Sequence, residues 1–387
     1  MTVGPPPPMP RRTVSQRLLV LALGALRAVT PKDEHLAVLN GVPPANDGTL
    51  AMIPALQRRR VRCALLTDQA ADADAVASQL GGAKDVMIRR RRTLRGAWLV
   101  ARAKYVFFTH ELWALPPGGR QIMVNLWHGE FTKLLGYWSS ARGVESTYAT
   151  ATSRLGVAFR SAEFGISPQR VLVVGSPRND RMLELDQASA REQLELPTDK
   201  RVLLWLPTYR MWPDRRSGPP APTTADLTAL DPWLAARDLL LVIKAHPMAP
   251  EPIEWTDTAN IRVIPNDAAN GPATVTTLLA ACDGLITDFS SVWCDFLLLD
   301  RPIWIHCPDY RILAEQGHML LLPVDRWQPG PLSTSIEELT AAVEQVLDSD
   351  GRDWRERRDW LLDVLHTHKT GSSAERLLDA LGLPLES

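Results

Sequence analysis

From Glu34 onward, short runs of β-branched and large apolar residues alternate with longer stretches whose apolar positions recur at helical spacing. EHLAVLN reads as a strand, the Pro/Gly/Asn segment after it as a loop, and TLAMIPALQRR as a helix. The alternation continues through VRCALLT, the alanine-rich ADADAVASQL, DVMI, TLRGAWLVARA, KYVFF and QIMVNL. It predicts a parallel sheet covered by helices, because parallel strands need crossover connections. A second series starts near Val171: VLVV, RVLLWL, LLLVIK, IRVI, GLIT and PIWI, with helices from Ser335 onward. Two doubly wound α/β domains follow, spanning 33–165 and 166–387 after an N-terminal segment of residues 1–32. DRRSGPPAPTT, which follows Arg210 and Met211-Trp212-Pro213, reads as part of a mobile surface loop.

The N-terminal segment opens with MTVGPPPPMP, whose prolines fix φ and remove backbone donors, so it reads as disordered or polyproline II. The apolar run from Leu18 to Leu26 falls well short of the ~20 residues that span a bilayer. Basic residues before a short apolar run resemble a secretory signal, and Arg11-Arg12 suggests twin-arginine export, yet no small-x-small cleavage site follows. A helix here sets Arg11, Arg12, Arg17 and Arg27 beside a leucine-rich surface, which suits an anionic membrane. Packing on the main fold is the equal alternative.

Composition narrows the function classes. The chain has 387 residues, enough for two or three domains at roughly 150 residues each. Its 43 Lys and Arg nearly balance 44 Asp and Glu, so no global field recruits nucleic acid and anion recognition must be local. The four cysteines, at 63, 282, 294 and 307, have neither zinc-site spacing nor the density of a disulfide scaffold, which points to a reduced, cytoplasmic environment without a structural metal. No Walker loop, Gly-x-Gly-x-x-Gly fingerprint or Gly-x-Ser-x-Gly elbow occurs, which disfavours P-loop hydrolysis, dinucleotide redox and α/β-hydrolase chemistry.

In open α/β sheets ligands lie beyond the carboxyl ends of the strands. Polar clusters stand there: WHGEFTKLLG after QIMVNL, GSPRND after VLVV, PTYR after RVLLWL, AHP after LLLVIK and DFSSVWCDF after GLIT. His128, before the unhindered Gly129, has an ordinary pKa near ~6.5 and suits proton acceptance from a hydroxyl, or a core or capping role. His246 beside Lys244 can address phosphate oxygens, or sit as a satisfied structural histidine. Thr287, Asp288, Ser290 and Ser291 enter a helix, with Asp288 or Ser290 as cap; the free amides there hold a phosphate, or merely start the helix. Arg178, Asn179 and Asp180 orient a ligand or open a helix, and Thr208 with Arg210 forms a further anion-binding candidate. The Arg89–Arg92 run is a solvated face or a contact for a polyanion or lipid headgroups.

Taken in order, WHGEFTKLLG, GSPRND, LPTYR, KAHP, ITDFSSVWCDFLLLDRPI and PDYR resemble the CDP-glycerol glycerophosphotransferase family of teichoic acid primases and polymerases. The resemblance runs from about Glu34 to the C-terminus. It implies a GT-B fold, two Rossmann-like doubly wound domains facing a central cleft, with acceptor bound by the first and nucleotide donor by the second. His128 matches the family's Trp-His-Gly histidine, His246 its His-Pro histidine, and Thr287 to Ser291 its Thr-Asp-Tyr-Ser-Ser loop, with Phe289 replacing tyrosine. The family's Gly-Thr-Pro-Leu-Lys is here Gly129-Glu130-Phe131-Thr132-Lys133, which keeps Lys133 but changes the surface expected to face the acceptor.

The implied reaction moves a polyol phosphate from CDP-glycerol or a related CDP-polyol to a hydroxyl of a lipid-linked or polymeric polyol-phosphate acceptor, with release of CMP. His128 and His246 are the expected catalytic residues. Gly129, Lys133, Arg178, Asn179, Asp180, Thr208, Arg210, Lys244, Thr287, Asp288, Ser290 and Ser291 are the expected substrate contacts. No cofactor or metal is implied. The expected location is the cytoplasm, peripheral on the inner face of the cell membrane. A nucleotide-sugar glycosyltransferase of the same architecture and a non-catalytic scaffold for surface-polymer assembly are the competing readings.

Overall fold

A computed structural model describes residues 14–68, 76–77, 79, 85–110, 117–118, 120–130, 144–208, 222–246, 249, 254–265, 273–311, 324–349, 351–383 and 385. Lys133, Arg210, Arg11, Arg12, the proline-rich start and the DRRSGPPAPTT segment, save its Pro222 and the two threonines after it, lie outside the described residues. The chain forms two compact units, Met1–Arg181 with Leu365–Ser387, and Met182–Val364.

The first unit holds β1 (Asp33–Asn40), β2 (Arg62–Thr67), β3 (Val86–Arg90), β4 (Ala103–Phe108), β5 (Ile122–Asn125), β6 (Tyr148–Ala151) and β7 (Val171–Val173). They form one seven-stranded sheet ordered β3-β2-β1-β4-β5-β6-β7, and every pairing is parallel. Successive side chains leave a strand on opposite faces, so both faces must be covered. Leu39, Leu65 and Phe107 pack with Leu50 and Ile53 of α2 (Asp47–Arg58). Val38, Leu66 and Val106 pack with Leu23 of α1 (Val14–Val29) and Val100 of α3 (Leu94–Arg102). Each such fully buried aliphatic side chain contributes about 1.5–3 kcal/mol. Arg27 of α1 also turns inward; it is 7% exposed and donates to the Gly118 carbonyl at 3.5 Å, so it does not face lipid as the sequence suggested.

VLVV does not open the second domain. Its strand, β7, pairs with β6 in the first sheet, and α4 (Arg154–Phe164) and α5 (Pro177–Glu184) stand on either side of it in sequence. The C-terminal helix (Ser373–Ala380) also belongs to this unit, where Glu375 pairs with Arg58 and Arg59 of α2 and its neighbour. Gly175, at φ +89°, lets the chain pass beneath that helix, since a Cβ there would lie 2.4 Å from Ser373 Oγ. Asp180, read as a ligand contact, is 4% exposed and accepts hydrogen bonds from the Ser373 and Ala374 amides, each 2.8 Å long. Ser372 makes no side-chain cap, so Asp180 satisfies the helix's first donors from a remote position in sequence.

In the second unit β8 (Arg201–Leu206), β9 (Leu239–Lys244), β10 (Ile261–Ile264), β11 (Gly284–Thr287), β12 (Ile303–His306) and β13 (Leu332–Ser333) follow the order β10-β9-β8-β11-β12-β13, again all parallel. Leu203, Trp205, Leu241, Ile243 and Trp304 pack against Leu227, Leu230 and Leu234, which share one face of the helix Thr224–Ala235. Two doubly wound parallel α/β sheets are thus observed. Strand order reverses between β1 and β4 and between β8 and β11, which marks two crevices at strand carboxyl ends. No helix among the described residues is long and apolar enough to cross a membrane.

Asp180→Ala strips the C-terminal helix of both acceptors and leaves buried amides unpaired, so it should cost about 1–3 kcal/mol. Denaturant unfolding measures this; an unchanged midpoint would show that Asp180 does not hold that helix.

Candidate active site

At the reversal point of the first sheet, β4 runs directly into Thr109 and His110, and β5 into Leu126, Trp127 and His128. Thr109 stitches the place together. Its Oγ1 accepts from the Val42 amide at 3.2 Å, in the loop after β1, and its carbonyl lies 3.2 Å from His128 Nδ1. A carbonyl oxygen only accepts, so Nδ1 carries the proton and the neutral ring keeps its lone pair on Nε2. His110 lies against a face of that ring, stacked with centroids 4.0 Å apart and planes 4° from parallel.

The His128 imidazole is held well below its ordinary pKa, toward about 3. The main cause is desolvation, followed by His110, with smaller contributions from Arg178 and Arg160, against the raising effect of the Thr109 carbonyl. The residue also keeps open solvent access, which screens part of this effect, and the imidazole is neutral at pH 7. His110 is lowered too, to about 4, by burial and by the Arg91 guanidinium.

The loop carrying His128 is strained and clamped. Trp127 sits at φ +56°, a left-handed conformation costing a bulky residue about 1–3 kcal/mol. Its amide is fixed by Asn125 Oδ1 at 2.9 Å and its indole packs edge-on to Phe164 at 4.7 Å. Arg178 donates to the His128 carbonyl and Arg160 to the Gly129 carbonyl. Arg160, only 2% exposed, also donates to Glu163 at 2.9 Å and faces Glu130 at 3.6 Å, and Thr152 Oγ1 donates to Glu130 at 3.2 Å. Glu130, at 5% exposure, therefore faces this buried network; the surface change expected from the sequence at that position is an internal exchange. Among the described residues the Asn40 and Asn179 carboxamides are buried without a partner, as is the Trp127 indole N–H.

In the second unit the reversal point is closed by Asp288. Its Oδ2 accepts from the Thr208 amide at 3.1 Å and its Oδ1 from the Ser290 amide at 3.0 Å, while Thr287 Oγ1 donates to the Leu206 carbonyl at 2.7 Å. Thr287, Asp288 and Thr208 are fully or nearly buried and shape the loop rather than line its surface. Lys244 is likewise 3% exposed, and its ammonium donates to the Pro265 carbonyl at 2.7 Å. Ser290, Ser291 and His246 keep partial exposure. The following helix, Val292–Phe296, is short and its N-cap is Ser291 without a side-chain bond, not Asp288 or Ser290; Ser290 Oγ accepts from Val292 at 3.4 Å. Phe289 is buried against Tyr310, with ring centroids 6.0 Å apart.

Sequence reading thus located His128, Gly129, Arg178 and Asn179 at one strand-end cluster and Thr208, Lys244, His246, Thr287, Asp288, Ser290 and Ser291 at a second. It overlooked His110, Arg160, Glu163 and the inward role of Glu130. The signal for His110 was present, since it follows a strand end directly. Among the described residues no cluster of His, Cys, Asp and Glu could hold a metal ion, and the four cysteines are buried and form no disulfide with one another.

Arg160→Met keeps the side-chain length but leaves the Glu130 and Glu163 carboxyl groups buried without their cation. It should cost about 3–5 kcal/mol, read by denaturant unfolding; a loss below about 1 kcal/mol would show that the network does not hold the loop.

Residues 61–382 match the profile of the family described as CDP-Glycerol:Poly(glycerophosphate) glycerophosphotransferase. Among curated proteins, the teichoic acid ribitol-phosphate primase of Bacillus spizizenii is 26% identical over 300 residues, covering 71% of this chain and 73% of its own. The teichoic acid poly(glycerol phosphate) polymerase of the same organism is 25% identical over 292 residues, covering 68% and 71%. Among solved structures, a wall teichoic acid polymerase, TagF, superposes with TM-score 0.74 at 18% identity, covering 96% of this chain and 98% of that one. A UDP-GlcNAc 2-epimerase from Neisseria meningitidis does so with TM-score 0.52 at 12% identity, covering 89% and 99%. These structural likenesses support a GT-B arrangement of two Rossmann-like domains. The profile match spans most of the chain and includes the His128 and His246 strand ends, and the protein is a member of the CDP-glycerol:poly(glycerophosphate) glycerophosphotransferase family.

Proposed function

We propose that the protein transfers a polyol phosphate, glycerol phosphate foremost, from a CDP-activated donor to an acceptor hydroxyl in synthesis of a teichoic acid-like cell-wall polymer. The observation that carries this reading is the His128 imidazole, locked by the Thr109 carbonyl into the tautomer that leaves Nε2 able to take a proton. Family membership supports the donor class, and TagF has been solved after soaking with CDPG. The acceptor is a lipid-linked or polymeric polyol phosphate.

In this reading Nε2 of His128 takes the proton of the acceptor hydroxyl as its oxygen attacks the phosphorus bearing the polyol. The bond from that phosphorus to the CMP oxygen breaks, a phosphodiester forms, and CMP leaves with its electron pair. His246, the Ser290 and Ser291 loop and Arg210 hold the diphosphate, Lys244 supports the end of its strand from beneath through the Pro265 carbonyl, and Gly129, Lys133, Arg178 and Asn179 meet the acceptor. Such catalysis is mostly positioning and charge stabilisation. Burial is the main depressor of His128, and an anionic substrate offsets only the smaller contributions of Arg178 and Arg160.

Peripheral attachment to the inner face of the membrane belongs to the same proposal. Leu18 and Leu21 of α1 are 61% and 68% exposed, and Leu94 of α3 is 91% exposed. The two helices pack on one sheet face, and Arg89, Arg90, Arg92 and Arg95 are exposed in and beside α3. Apolar side chains beside cations suit an anionic lipid surface, where each cation contributes about 1 kcal/mol.

Purified protein incubated with labelled CDP-glycerol, CDP-ribitol and a panel of nucleotide sugars should release CMP from a CDP-polyol only. His128→Ala should lower that release by about 10²–10⁴-fold. Nucleoside diphosphate from a nucleotide sugar would replace the proposal with glycosyl transfer, and near-wild-type release by His128→Ala would remove the base. In flotation with anionic vesicles the wild type should rise with lipid and the Leu21→Glu, Leu94→Glu double variant should not; a wild type that stays in solution refutes attachment.

A further inference from the structure

We propose that His110 is a positioning residue for His128, an aromatic platform that fixes the plane of the base. The inference rests on the transferase reading above and adds a residue that the family motifs do not name. The two rings lie face to face, 4.0 Å apart and 4° from parallel, while Trp127 tilts against His128 at 4.3 Å and 37°. One residue aligns the stack: the Thr109 carbonyl is 3.2 Å from His128 Nδ1 and Thr109 Oγ1 is 3.1 Å from His110 Nδ1.

A parallel sandwich is not the arrangement that neutral aromatic rings prefer. The pair is held in it by Thr109, and the near-parallel planes leave the His128 ring one orientation in which Nδ1 meets the Thr109 carbonyl. Burial keeps His110 neutral, and Arg91, in the turn after β3, acts in the same sense. Among the described residues, the other charged groups facing the pair are Arg178 from α5 and Arg160 from α4, the latter joined by Glu130 and Glu163.

The test compares His110→Phe, which keeps a ring without a titrating nitrogen, with His110→Ala, which removes the platform. Rates of CMP release from CDP-glycerol are read alongside ¹⁵N NMR of the His128 ring. His110→Phe should keep kcat within about fivefold, with the acid limb of the pH profile moved to higher pH because no second imidazole competes for the proton. His110→Ala should lose about 10–100-fold in kcat with KM for donor unchanged, and its His128 nitrogens should show mixed tautomers. Wild-type kcat, pH profile and tautomer in His110→Ala would overturn the proposal, as would equal losses in both variants. If the wild type turns over no CDP-polyol, the transferase reading fails by itself. The NMR titration still decides this one, for it if His128's tautomer or pKa changes in His110→Ala and against it if neither does.

Discussion

The hydrogen bond from His128 Nδ1 to the Thr109 carbonyl sets what this protein can do with a proton. It is a single contact of 3.2 Å, yet it chooses the tautomer, aims Nε2 away from the scaffold and ties the end of β5 to the end of β4. Thr109 Oγ1 reaches the loop after β1 as well, so one residue spans the point where strand order reverses. The second unit solves the same problem with a different atom. Asp288 bridges the ends of β8 and β11 through the Thr208 amide. A parallel sheet leaves its last carbonyls and amides unpaired where strands diverge, and in both units a short polar side chain fills that deficit and gives the loop one shape.

That shape has an energetic cost met beneath the loop. Trp127 in a left-handed conformation is unfavourable, and it persists because its amide, its ring and the two carbonyls that follow are each held by a partner. The Arg160, Glu130 and Glu163 network is a poor source of stability in itself, since desolvating charges offsets most of their attraction. What it supplies is one geometry, because an arginine fork that serves two carboxylates and a carbonyl has few alternatives.

Much of the fold was legible because apolar strands alternating with helices have few solutions, and the strand-end rule then led to His128, His246 and the Asp288 loop. What was hidden depended on partners remote in sequence. VLVV has the composition of any buried strand, and only its pairing with β6 places it in the first sheet. Asp180 sits in a motif with an arginine and an asparagine, and nothing local announces that its carboxylate caps a helix 193 residues away. Arg27 reads as one more cation on an amphipathic helix until the core residue Met123 is found near its guanidinium. His110 lacked the glycine and tryptophan neighbours that drew attention to His128, although the two histidines lie two and three residues beyond the ends of adjacent strands.

The departure at Glu130 shows how such a difference should be weighed. In sequence it replaces a small neutral residue by a charge two positions from the base, which suggests a changed acceptor surface. In the fold its carboxylate lies inside, 3.6 Å from Arg160 and 3.2 Å from the Thr152 hydroxyl. A carboxylate exposed beside His128 would raise the imidazole's pKa and repel a phosphate; one buried behind the loop instead draws Arg160's charge inward. His128 thus keeps a pKa lowered mainly by burial and His110, with Arg178 and Arg160 adding to the same direction. Substitutions in this loop carry information about substrate only where the side chain points outward, and Glu130 does not.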